Sequence, residues 1–430
     1  MTLAFIGYLS ILSVEYFGLG NHLPVLKHLH YSLFVSAMIF AYLFIKGGNK
    51  GVQDFFEKGQ TRLFLIFMTL TFFSVFYGLV RLYGFNNLKA QIGYFMLFAS
   101  GYFLAKEQKR LETLALFLLS IHLCLVLINF KNFFSEARTE SFNAGYFLGD
   151  GNDFGWGLNI VLPFAVYALV KNTGIIKKGF FLLCSIAISV GILGTLSRGA
   201  TLAFSISILY FILKSKNRVL GVAACIFIAA GIFFFAPPKY FERMETIVQY
   251  SSDSSAMGRI GAWKAAIGMA TEHPLGVGAG SFNSAYGRFY RPTDAISNRW
   301  ISAHSIYFVV LGEYGFPGLL LIVSLIIMNI RQNGKSASTL KENQSLGIDY
   351  YWPVCLNMSI IAYSVGGFFL GGINYPHIYI LSALTLGTSH LINARLASME
   401  SPRSVIKPGR AGIRPFKGRQ PRREPSYRRA

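Results

Sequence analysis

The stretch LETLALFLLSIHLCLVLINF, residues 111–130, decides the fold. It offers twenty mainly apolar residues in a row. At about 1.5 Å of rise per residue, a helix of that length crosses a hydrocarbon core roughly 30 Å thick. Outward from it, eleven further stretches have the same character, at 2–19, 30–46, 63–82, 88–105, 153–170, 179–196, 199–213, 218–236, 304–330, 353–371 and 376–394. The pattern predicts an all-α, polytopic membrane protein with about 12 transmembrane helices. The stretch at 304–330 is long and interrupted by Gly312, Gly315, Phe316, Pro317 and Gly318.

Composition agrees. Of 430 residues, 53% are hydrophobic and only 14% charged, so lipid rather than water must cover most of the chain. A net charge of +21 on a soluble face would point to nucleic acid; in a membrane chain it marks the cytoplasmic side instead, and no nucleic-acid partner is expected. With the N-terminus in the cytoplasm, sixteen of the 40 lysines and arginines fall in five short inner loops, from Lys46 to Lys341. Eleven more lie in the tail from Arg395 onward, so both termini are expected to be cytoplasmic. The opening, MTLAFIGYLSILSVEYFGL, lacks the basic start and small-residue cleavage site of a signal peptide and reads as a retained first span, with Glu15 unexplained. Cys124, Cys184, Cys225 and Cys355 sit in apolar runs without CxxC spacing and read as small buried hydrophobes. Residues 1–394 are expected to form one transmembrane domain. The remainder, 395–430, rich in Pro, Gly and Arg, is expected to be a disordered basic cytoplasmic tail, either a solvated topology anchor or a binder of anionic lipid.

One sizeable loop lies on the outer side, at about 237–303, and function is sought there. Its middle, AMGRIGAWKAAIGMATEHP, carries Ile260, Trp263, Ile267 and Ala270 on one stripe, predicting an amphipathic helix along the outer membrane surface that ends at Pro274. The glycines of GVGAGS follow, spaced for a tight turn and not for a dinucleotide fingerprint. No HExxH, Walker or GxSxG motif occurs, and His28 and His30 are too sparse for a metal site.

Three ionisable residues at the outer ends of spans stand out, because charge at membrane depth is costly unless it faces a cavity or a partner. Arg198, in LSRGA, sits in a hairpin too short to leave the bilayer surface, where an arginine also snorkels to headgroup phosphates. Arg259, in GRIGAW, opens the amphipathic helix one turn before Trp263; a cation–π or lipid contact is the bland alternative for it. His304, in SAHSIY, marks re-entry of the loop into the membrane, either as a hydrogen-bonding residue or as a base of suitable pKa. Taken together, two permanently charged guanidinium forks and an imidazole can hold a diphosphate and deprotonate a hydroxyl.

Five segments in order carry a resemblance to a known family. They are GDGNDFGWGLNIVLPF (149–164), TLSRGA (195–200), GRIGAWKAA (258–266), HPLGVGAGSF (273–282) and AHSIYFVVLGEYGFPGL (303–319). This part of the chain resembles the O-antigen ligase and polymerase superfamily of bacterial membrane enzymes. The resemblance implies an inner-membrane enzyme with a periplasmic site and a metal-independent, inverting glycosyl transfer that uses no cofactor. The donor it implies is an undecaprenyl-diphosphate-linked glycan. By the same resemblance His304 is the general base, and Arg198 and Arg259 hold the lipid diphosphate; Ser305 stands where the family often has Asn. Asp150, Asp153 and Glu313 are weaker candidates for substrate contacts, with helix capping an equal reading for the two aspartates.

Acceptors in the family are a glycolipid such as the lipid A core, a growing glycan, or a protein hydroxyl. The run RMETIVQYSSDSSAMGRIGAW (243–263) also resembles the predicted O-glycosylation ligases associated with exosortase systems. The outer loop is small for a separate acceptor-binding domain, which favours a glycolipid or glycan acceptor over a folded protein. A polyprenyl-glycan transporter is the rival from another class. It would be expected to place ionisable groups near the bilayer midplane, and the spans here are nearly free of them.

Overall fold

The computed structural model describes residues 2–133, 141–215, 218, 254–293, 299–370, 372 and 374–400. Among them there is no strand, and the long helices are α1 (Thr2–Phe17), α2 (Tyr31–Glu57), α3 (Gly59–Tyr77), α4 (Arg81–Leu104), α5 (Gln108–Ile128), α6 (Gly151–Lys171), α7 (Ile175–Gly194), α8 (Arg198–Lys214), α9 (Ser254–Glu272), α10 (Ile306–Glu342), α11 (Tyr351–Gly366) and α12 (His377–Glu400). Six of these, α2, α3, α5, α6, α7 and α10, are long and apolar enough to cross a membrane. Eleven of the twelve expected stretches coincide with a helix; the other, 218–236, lies outside the described residues from 219 onward, as do Cys225 and the segments 237–253 and 294–298 of the outer loop.

The interior is built on α6, whose residues from Phe154 to Ala165 are buried and which packs against α5, α7, α8 and α11. Small residues allow the closest approaches, as at Gly155, where a methyl group would collide with Thr195 and Ala200. Polar side chains tie the remaining helices together. Asn329 donates to Ser382 Oγ (2.9 Å), Asn333 to Thr385 Oγ1 (3.1 Å), and Trp352 Nε1 to Thr388 Oγ1 (2.7 Å). Such pairs are retained in an apolar interior because the alternative is an unsatisfied polar group.

The two ends of the bundle differ in charge. Among the described residues the ion pairs Lys58–Asp54, Arg110–Glu107 and Lys171–Glu112 all lie at one end. Arg395 is at the same end, donating to the Leu346 carbonyl and to Gln108 Oε1. The tail expected from residue 395 therefore begins inside α12, which stays helical to Glu400; residues 401–430 lie outside the described set. Glu15 sits near the other end of α1, hydrogen-bonded with Ser32. The expectation of buried cysteines holds for Cys184 and Cys355 but not for Cys124, which lies on the outer surface of α5.

The interruption in α10 is explained by backbone chemistry. Pro317 has no N–H, so the Glu313 carbonyl loses its helical donor, and Gly315 takes a left-handed φ of 63° that turns the preceding residues away. The loop after α9 fills the gap. Val277 N–H donates to the Gly312 carbonyl (2.9 Å), Gly278 N–H to the Glu313 carbonyl (3.0 Å), and Phe316 N–H to the Pro274 carbonyl (3.2 Å). On its far side the loop is held by the end of α3 and the turn after it: Tyr77 Oη donates to Leu275 O (2.8 Å) and Leu79 N–H to Val277 O (3.1 Å). So close a backbone approach, at φ +82°, requires glycine at Gly276, where a Cβ would strike the Glu313 carbonyl.

This docking holds to part of the expected face of the amphipathic helix. Trp263 and Ala270 of the expected stripe face inward together with Ala262, Ala265, Ala266 and Met269, whereas Ile267 is exposed. The Trp263 ring stacks on Phe308 (4.8 Å, 10°) and its Nε1 donates to the Ala303 carbonyl (2.9 Å).

If the inserted loop holds α10 together, Gly276→Ala should lower the thermal unfolding midpoint in detergent, at a cost of about 2–4 kcal/mol. Gly334→Ala, on the same helix but facing open space, should leave the midpoint unchanged or raise it slightly. Equal midpoints for the two variants would contradict the role given to the loop.

Candidate active site

The end of the bundle opposite the lysine-rich one gathers most of the residues singled out from the sequence. Asp150 is the N-cap of α6, its Oδ1 accepting from Asn152 N–H (2.6 Å), so the capping reading of this residue is correct. Asp153, in the first turn, accepts from Tyr375 Oη (3.2 Å). Arg198 is the first residue of α8, placed by Ser197, which caps the helix by accepting from Ala200 N–H (3.3 Å). The hairpin before it turns through Leu196 at φ 53°, and Gly199 lies directly against Phe369.

Residues 366–369, the turn that ends α11, form the hub on which these parts meet. Gly366 packs against Trp156 of α6, and Phe369 against the Arg198 hairpin. Gly367 O accepts from Ile306 N–H (2.8 Å), fixing the start of α10. Phe368 meets Trp263 of α9 edge-on (5.3 Å) and lies beside Tyr307 and Phe308. Sequence reasoning passed over this GGFF turn because it carries no ionisable group; its signal was only a glycine pair closing an apolar span.

His304 sits just before α10 with an exposed side chain and a backbone φ of 45°. A left-handed histidine is a strained conformation, of the kind that persists where its surroundings over-determine it. Those surroundings are visible on both sides: Trp263 holds the Ala303 carbonyl, and the Ile306 N–H is held by Gly367. Ser305, the intervening N-cap, is fully buried and its hydroxyl has no hydrogen-bond partner among the described residues.

Although the imidazole reaches the surface, the protein packed around it removes enough water to push its pKa below the ordinary histidine value. Arg259 adds to that shift by charge repulsion, and Asp150 opposes it. His304, Arg259 and Asp150 are therefore within electrostatic reach of one another, with Arg198 joined to them through the hub and through the packing of Thr195 and Ala200 on the first turn of α6. At neutral pH the imidazole is uncharged and able to take a proton, beside a guanidinium that keeps its charge.

Glu313 belongs elsewhere. It lies nine residues further along α10, about 13 Å of helical rise from His304. Its buried carboxylate accepts backbone N–H groups from Gly280 and Phe282 (3.2 Å for Phe282), closing the loop that enters the helix break. Among the described residues no three His, Cys, Asp or Glu side chains come together as a metal site.

The electrostatic arrangement has a direct consequence. Reaction of His304 with diethyl pyrocarbonate, followed by mass spectrometry across pH, should titrate with a midpoint below ~6.5. Arg259→Gln removes the repelling charge and should move that midpoint upward. An unchanged midpoint would separate the two residues.

Residues 182–323 match the family model described as O-antigen ligase. That region contains Arg198, Arg259, His304 and Glu313, while Asp150 and Asp153 precede it. No curated protein matches the chain.

Proposed function

Since the chain carries an O-antigen ligase domain at residues 182–323, and is a multi-pass membrane protein of the O-antigen ligase and polymerase superfamily, we propose that it transfers a glycan from undecaprenyl diphosphate to an acceptor hydroxyl. The family implies a glycosyltransferase-like enzyme acting on lipid-linked glycans among membrane lipids. The observation that carries the finer reading is the pairing of an exposed, strained His304, kept neutral by its setting, with the fixed charge of Arg259.

In the proposed reaction the acceptor hydroxyl gives its proton to the His304 imidazole while its oxygen attacks the anomeric carbon. The bond from that carbon to the diphosphate oxygen breaks, and undecaprenyl diphosphate leaves with the electron pair. Arg198 and Arg259 stabilise the charge that develops on it, supplying the electrostatics that a metal ion supplies in other transferases. Attack opposite the leaving group inverts the anomeric centre. Asp150, already committed to Asn152, borders this site, and Asp153 extends it along α6. Glu313 acts at one remove, by holding the loop that docks α9 on α10.

Orientation follows from charge. The lysine-rich end is assigned to the cytoplasm, so the site faces the periplasm of the inner membrane, where the donor must carry its own activation because ATP is absent. A glycolipid or glycan is the favoured acceptor; polymerisation, in which the acceptor is a second lipid-linked glycan, uses the same chemistry.

The full chain in lipid nanodiscs, given a lipid-diphosphate glycan and candidate acceptors in the presence of EDTA, should form a joined product. His304→Ala should slow that transfer by about 10²–10⁴-fold with insertion intact. Arg198→Lys and Arg259→Lys, which keep the charge but lose the bidentate fork, should each cost roughly tenfold or more. Undiminished product from the His304 variant, or translocation of the lipid without product, would refute the assignment.

A further inference from the structure

Beyond the arginines and the histidine, the same end of the molecule carries a second wall that the proposed chemistry leaves unused. Tyr146, in the segment before α6, is 63% exposed, yet its hydroxyl is fixed, paired with Tyr94 Oη (2.9 Å) and donating to the Asn374 carbonyl (3.3 Å). The Tyr375 ring stands beside it at 6.3 Å and 85°, so the two rings form a corner. The polar rim of that corner is Asp153, which receives the Tyr375 hydroxyl, together with the hydrogen-bonded amides of Asn374 and Asn87. Asn374 Oδ1 has no donor among the described residues. Below the corner, Tyr375 packs toward buried Trp156 (6.0 Å), which fixes the wall to α6.

The composition of this corner is selective. Held aromatic faces offer flat apolar area beside polar tips, which suits the C–H face of a pyranose ring. Carboxylate and amide oxygens accept hydrogen bonds, so the rim suits hydroxyl donors. Among the residues that form this rim there is no lysine or arginine, so a second anion would be desolvated here without a cationic partner. A diphosphate is excluded here and drawn to the arginines instead.

Resting on the transferase reading above, we propose that Tyr146, Tyr375, Asp153, Asn374 and Asn87 form a sugar subsite that takes an uncharged pyranose of the glycan substrates and rejects a uronic acid. The ring it holds is the acceptor's, because the donor sugar is bonded to the diphosphate at the cationic side of the site. Tyr146 is a specificity residue and takes no part in bond making.

Saturation-transfer NMR on the full chain in nanodiscs tests this without any turnover, using the methyl glycosides of glucose, galactose, mannose, rhamnose and N-acetylglucosamine, and of glucuronic acid. At least one neutral glycoside should give signal with the wild type and equally with His304→Ala, and methyl glucuronide should give none. Tyr146→Ala should weaken that signal about tenfold, the scale of one lost aromatic contact. Tyr375→Phe, which removes only the hydroxyl bonded to Asp153, provides a second variant of the same shape and should weaken it as well. Equal binding of the glucuronide, full binding by both tyrosine variants, or no neutral glycoside bound by the wild type would each overturn the subsite. In transfer assays Tyr146→Ala should raise KM for the acceptor and not for the donor; a rise for the donor alone overturns the acceptor assignment. If His304→Ala binds the glycoside and still transfers, the catalytic reading fails while the subsite stands.

Discussion

Pro317 cannot donate a backbone hydrogen bond, and the carbonyl this strands at Glu313 is met by Gly278 from a loop that has entered the helix. That exchange locks α10 to the segment after α9. Arg259 lies on α9 and His304 immediately precedes α10, so the relative position of guanidinium and imidazole is set by the repair of a broken helix. An unsatisfied carbonyl in an apolar interior would cost about 1–3 kcal/mol, which makes the insertion a requirement of folding and not an ornament of it.

From this joint the rest of the site is assembled by contact. Trp263, one turn after Arg259, reaches Ala303; the residue 366–369 turn braces the start of α10 and touches the Arg198 hairpin; that hairpin packs on the turn of α6 that carries Asp153. The site thereby acquires two characters. Fixed positive charge lies on α8 and α9, while carboxylates and tyrosines lie on and beside α6. On the proposed transferase reading, the anionic end of the substrate goes to the first and its hydroxyl-rich end to the second.

The fold was largely legible because its main determinant is length of apolar run, a property that survives in the linear chain. The interruption at Gly315 and Pro317 was legible for the same local reason: a missing N–H is written in the residue itself. What filled the interruption was not, since GVGAGS reads as a tight turn, and nothing in its composition says that its amides serve a helix. The apolar stripe misled only at Ile267, because in a membrane protein a small-residue face docks as readily as a bulky one; Ala262, Ala265 and Ala266 pack more closely than isoleucine allows. Arg259 and His304 were found because ionisable groups are rare in this chain. Tyr146 and Tyr375 were not, because tyrosine is common in it and only contact distinguishes those that share a corner.

The central claim is that the guanidinium groups of Arg198 and Arg259 share one anion with His304 beside it. A cryo-EM map of the full chain in nanodiscs with undecaprenyl diphosphate tests it most directly. The account predicts diphosphate density within hydrogen-bonding distance of both arginines, with the His304 ring facing the adjoining cavity. Diphosphate density at the lysine-rich end, or held by neither arginine, would contradict it.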